Sequence, residues 1–88
     1  MQENAGCVLL RNRAKELAAD RGITLDDVEC IQNFDTKNFL LRVWFEGRDR
    51  DVWITDLEVL DYNSRLGARK QQVDGKLEAL LDALTGGG

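Results

Sequence analysis

Residues 28–54 hold three runs of β-forming side chains separated by two short polar stretches, and that spacing leaves few folds open. The runs 28–34 and 39–46 are rich in β-branched and aromatic residues and flank the tetrapeptide Asp35-Thr36-Lys37-Asn38. The second run is joined to residues 51–54 across Gly47-Arg48-Asp49-Arg50. Loops this short connect antiparallel neighbours, so two successive hairpins and a three-stranded sheet in the order 1-2-3 are predicted.

Register is testable from the pattern, because directly paired residues share a face. Setting Phe34 against Phe39 pairs Cys30 with Val43 and Val28 with Phe45, and all of these are apolar. Setting Phe45 against Val52 brings Val43 to Ile54 on the same surface, so both hairpins select one interior face. The opposite face then carries Ile31, Leu40, Trp44 and Trp53, with Arg42, Glu29, Asn33 and Thr55 between them, and Trp44 is expected directly across from Trp53. An open sheet face ordinarily alternates to polar residues, so two indoles and two aliphatics there ask for a cover.

The flanking segments supply helices. Cys7, Leu10, Ala14, Leu17 and Ala18 recur at helical spacing over residues 7–21, and Gly22 is placed to end that helix in a left-handed cap, with Ile23 folding back. Thr55 and Glu58 have capping-box spacing, which predicts a short helix carrying Leu57, Leu60 and Tyr62 directly after the third strand. Asn63 or Ser64 then caps a last helix with the stripe Leu66, Val73, Leu77, Leu80, Leu81 and Leu84. Gly75 interrupts it, and the alternative is a helix that begins only after Asp74-Gly75.

With 88 residues, residues 1–88 form one small α+β domain of order α-β-β-β-α-α, ending in a flexible glycine tail at 86–88. The N-terminal helix covers the interior face, and the C-terminal helices are expected on the other face or in a dimer contact.

Sixteen acidic and twelve basic side chains give a net charge of −4, which disfavours general affinity for nucleic acid or an anionic membrane. Residues 22–63 concentrate the acid, with ten carboxylates against four bases. Histidine is absent. Cys7 and Cys30 lie far apart with no Cys or His nearby, so zinc and CxxC chemistry are excluded and both read as small buried hydrophobes. No window approaches the ~20 apolar residues of a membrane span, and the start of the chain lacks a signal-peptide pattern. A reduced, cytoplasmic setting is the expectation.

Chemistry is hard to assemble from these residues. Asp26-Asp27, or Asp49 with Asp51, could form a coupled carboxylate pair, but both sit at predicted turns without an apolar surround. The run Asp49-Arg50-Asp51 lacks calcium-loop spacing, and neither GxGxxG nor GxxxxGK is present. No enzyme activity, cofactor, metal or small-molecule substrate is inferred.

The order helix, three antiparallel strands, helix resembles the double-stranded RNA-binding domain, and Ala68-Arg69-Lys70 before the last helix invites comparison with that family's basic helix start. The resemblance implies RNA contacts from Arg65, Arg69, Lys70 and Lys76. It departs from the family where a further base is needed, since Val73 and Asp74 occupy that region, and residues 56–64 are an extra segment between sheet and helix.

The residue types of the outer face favour a different class. Large aromatics beside an arginine are enriched at the centres of protein interfaces, so Leu40, Arg42, Trp44 and Trp53 are the candidate partner-binding residues. The expected function is a small acidic, non-catalytic protein-interaction or regulatory module, with a protein partner or a second copy in a homodimer. The alternative is an acidic mimic of nucleic acid that occupies a basic site, as some small phage-encoded inhibitors do, with Asp49, Asp51 and Asp56 carrying the charge.

Overall fold

A computed structural model describes residues 4–62 and 70–86. Its elements are helix α1 (Ala5–Asp20), strands β1 (Asp27–Gln32), β2 (Phe39–Phe45) and β3 (Arg48–Ile54), and helices α2 (Asp56–Tyr62) and α3 (Lys70–Leu84). The fold is α+β, with an antiparallel sheet in the order β1-β2-β3.

Helix α1 starts two residues before its apolar stripe because Asn4 caps it, its side-chain oxygen accepting from the N–H groups of Gly6 and Cys7. It ends as the glycine predicts. Gly22 takes φ +75°, its N–H donates to the Ala19 carbonyl, and Ile23 N–H reaches back to the Ala18 carbonyl.

The faces of the sheet are those expected, but the register is not. Val28 pairs with Val43 and Cys30 with Leu41, a shift of two residues from the predicted pairing. In the second hairpin Leu41 pairs with Val52 and Phe39 with Ile54, a shift of four. Even shifts keep every side chain on its face, which is why the apolar pattern could not detect them.

Local turn chemistry set both registers. The Asn33 side chain accepts from the N–H groups of Asp35 and Thr36, so the first turn begins at Asn33 and draws Phe34 out of the ladder. Phe34 is 86% exposed, not a core partner of Phe39. The second connection is a two-residue turn at Glu46-Gly47, with φ +52° and +77°, the conformation that matches strand twist. Residues 48–50, expected in a loop, therefore belong to β3. Trp44 consequently lies across from Asp49, and Leu40 takes the place opposite Trp53.

One core holds the elements together. Leu10, Ala14, Leu17 and Ala18 of α1 and Val73, Leu77, Leu80, Leu81 and Leu84 of α3 are buried with Val28, Phe39, Leu41, Val43 and Ile54 of the sheet. Helix α1 packs on β1 and β2, α3 packs on β3, and the two helices touch. The leucine stripe of α3 thus shares the inner face with α1 and does not cover the tryptophans. A helix of about 10 Å diameter spans roughly two strands spaced about 4.8 Å apart. Helix α1 therefore leaves Val52 and Ile54 of β3 for α3 to bury.

Helix α3 runs through Gly75 without a break, so the helix that starts after Gly75 is overturned for residues 70–75. Leu66, Asn63, Ser64 and the remaining part of the predicted last helix lie outside the described residues.

Cys7 and Cys30 are not separate buried thiols. They form a disulfide with Cα atoms 5.4 Å apart, tying α1 to β1. The interior face that pairs the first hairpin places Cys30 under the start of α1, and nothing in the spacing of the two cysteines alone signals it.

Candidate interaction face

The outer face of the sheet is built from three cross-strand rows, each with one residue from every strand. Ile31, Leu40 and Trp53 form an apolar row. Glu29, Arg42 and Asp51 form the next, and Asp27, Trp44 and Asp49 the third. Directly paired side chains on one face have Cβ atoms about 5 Å apart, so each row is a contact group.

Exposure follows these rows. Ile31 is 62% and Trp53 52% exposed, while Leu40 and Trp44, flanked on both sides, are half-buried. The four residues singled out from sequence thus lie on one face, but in three different rows. Leu40 lies in the Trp53 row, whereas Trp44 lies between Asp27 and Asp49.

Arg42 is held in the middle row. Its Nη2 donates to Asp51 Oδ2 at 2.9 Å, and Asp49 Oδ2 lies 3.9 Å from its Nε. The hydrogen bond to Asp51 holds the guanidinium above its ordinary pKa. Asp27, Glu29 and Asp49 complete the acidic part of the face. Asp49 joins it only through the two-residue turn, and the sequence signal for that turn was Glu46-Gly47 followed by alternating residues.

On α2, Leu57 and Leu60 are likewise 62% and 66% exposed. The capping box explains this orientation. Thr55 N–H donates to Glu58 Oε1 at 3.0 Å and Glu58 N–H to Thr55 Oγ1 at 3.1 Å. Lys76 Nζ donates to the same Glu58 oxygen at 2.7 Å. Glu58 and Val59 are therefore turned inward and the two leucines outward. Burial pushes the Glu58 carboxyl up, but the bonds from Lys76 and Thr55 overcome it and hold the pKa below its ordinary value.

The edge of β3 is partly blocked against strand addition. Arg50 Nη1 donates to the Asp49 carbonyl at 3.1 Å and Lys76 Nζ to the Trp53 carbonyl at 3.3 Å. Of the bases that RNA contact would require, Lys76 is engaged with Glu58, and Lys70 Nζ sits 5.4 Å over the Tyr62 ring. Arg65 and Arg69 lie outside the described residues.

Among the described residues no group of three or more His, Cys, Asp or Glu is placed to hold a metal ion. No helix among them is long and apolar enough to cross a membrane. No protein-family model, no curated protein and no solved structure matches the chain.

Proposed function

We propose that the protein is a non-catalytic protein-interaction module that binds its partner through the outer sheet face. The observation that supports this is the packing of both long helices on the inner face, which among the described residues leaves Ile31 and Trp53 exposed with Leu40 half-buried between them. Trp53 is the anchor, Leu40 its floor, and Arg42 and Trp44 supply the polar part of the contact.

A second copy is one occupant of that face, and the absolute mass in solution at low and high salt tests it. A dimer that turns to monomer with Trp53→Ala supports self-association through this face. A monomer directs attention to another protein, detected as species captured from the native extract by wild type and lost with Trp53→Ala. Capture indifferent to Trp53→Ala and Leu40→Ala overturns the proposal.

The second reading, mimicry of nucleic acid, draws on the carboxylates Asp27, Glu29, Asp49 and Asp51 that share this face. Reversing Asp49, Asp51 and Asp56 abolishes binding under mimicry, so binding that survives the reversal excludes mimicry, and binding that survives Trp53→Ala excludes the apolar anchor. The compartment follows the redox state. Free thiols fit the cytoplasm and the Cys7–Cys30 bond fits an oxidising setting, so alkylation of thiols trapped directly from cells decides between them.

A further inference from the structure

Resting on the outer-face reading above, we infer that the partner is an amphipathic protein segment that lays an apolar side chain on Trp53 and an arginine or lysine on Trp44. The two ends of the face ask for different chemistry. The row Ile31, Leu40, Trp53 offers apolar surface with no ionisable group. The row Asp27, Trp44, Asp49 offers an indole with a carboxylate on each side. A cation over that ring gains the attraction of the π face, of Asp27 and, shared with Arg42, of Asp49, while an anion is repelled by the ring and by Asp27.

No cation among the described residues fills this place. Among the described residues the cation–ring contacts are Lys37 over Phe34 and Lys70 over Tyr62. Arg42 is turned to Asp51 and Asp49, and no described basic side chain lies within ion-pair distance of Asp27 or Glu29. The outer face therefore carries four carboxylates against one guanidinium. That charge selects a basic protein segment over an anionic lipid surface or a nucleic acid.

Geometry fixes the spacing. Leu40 and Trp44 are four residues apart on β2, or roughly 13 Å. A partner helix covers that distance in about nine residues, and an extended segment in about four. The partner's apolar and cationic side chains are thus separated by one of these two intervals.

A displayed library of random peptides about 16 residues long, enough for roughly 24 Å of helix, is panned on the full chain. Enriched peptides are then synthesised and titrated against wild type, Trp53→Ala and the double variant Asp27→Asn/Asp49→Asn. Asparagine keeps the oxygen that accepts from Val28 N–H at Asp27, so the strand is undisturbed. The expected result is enrichment of Arg or Lys at the stated distance from an apolar pair. Binding should weaken at least about tenfold in each variant, and salt should weaken it for wild type more than for the double variant. Binding lost with Trp53→Ala but unchanged in the double variant overturns the cationic partner and leaves the outer-face reading standing. No enrichment, or binding indifferent to both variants, overturns both.

Discussion

The guanidinium of Arg13 meets the carboxylate of Asp74 at two points, Nε to Oδ1 at 3.0 Å and Nη2 to Oδ2 at 3.1 Å, across 61 residues of chain. The Tyr62 hydroxyl donates to the same Oδ1 at 3.1 Å, so one carboxylate joins α1, α2 and α3. Both charged side chains are mostly shielded, 26% and 20% exposed. Asp74→Ala strands the guanidinium and the phenol together and should cost about 1–3 kcal/mol in urea unfolding, with part of it recovered by adding Arg13→Met. Strictly additive losses in the double variant would show that the pair is not coupled.

The same cluster sets the pH response. Burial pushes Asp74 up, but the hydrogen bonds from Arg13 and Tyr62 outweigh it and hold its pKa below the ordinary 3.8. Glu58 is likewise held below 4.5. Carboxyls lowered in the folded state give stability that is present above their unfolded pKa and lost as pH falls through the folded one. Thermal stability should therefore decline as pH drops below about 4.5, and Asp74→Asn should flatten that decline. Burial and the bond to Asp74 push Tyr62 from 10.0 up to about 12. A phenol raised in this way loses its contribution as pH climbs from 10 to about 12, so Tyr62→Phe should be less sensitive to alkali than wild type.

Strand order, the two sheet faces and both helix caps were legible because each rests on a local rule. Period-two alternation assigns faces, Gly22 ends a helix, and Thr55 with Glu58 starts one. Register was not legible, since Asn33 and the Glu46-Gly47 turn act through backbone bonds that leave the apolar pattern unchanged. The Arg13–Asp74 clasp and the Cys7–Cys30 link were equally hidden, because both depend on how helices land on the sheet. For the candidate face, the residue set Leu40, Arg42, Trp44 and Trp53 could be read from alternation. Which neighbour each one has, and hence the division into an apolar and an acidic end, needed the true register.

Linking Cys7 to Cys30 closes a loop with a sequence separation of 23 and restricts the unfolded chain. By the chain-entropy model, a loop of that length stabilises by about 3 kcal/mol. Adding reductant should lower the urea midpoint of wild type and leave a Cys7→Ala/Cys30→Ala variant unchanged. A wild-type midpoint insensitive to reductant, with both thiols alkylated, would mean that the link contributes nothing to stability.

Two helical glycines should respond in opposite directions to alanine. A Cβ on Gly75 would meet nothing within 4 Å, so Gly75→Ala should gain the helix propensity of about 0.5–1 kcal/mol that glycine forgoes. A Cβ on Gly6 would lie 2.5 Å from Phe39 Cζ and 2.8 Å from Cε1. The Phe39 side chain is buried in the core, 2% exposed. Gly6→Ala should therefore lose about 1–3 kcal/mol despite the same propensity gain. Phe39→Leu, which shortens the ring side, should reduce the penalty of Gly6→Ala when the two are combined. Thermal unfolding of the four variants measures this. Equal stabilisation by both glycine substitutions would show that α1 does not approach β2 as closely as the packing of Gly6 on Phe39 requires.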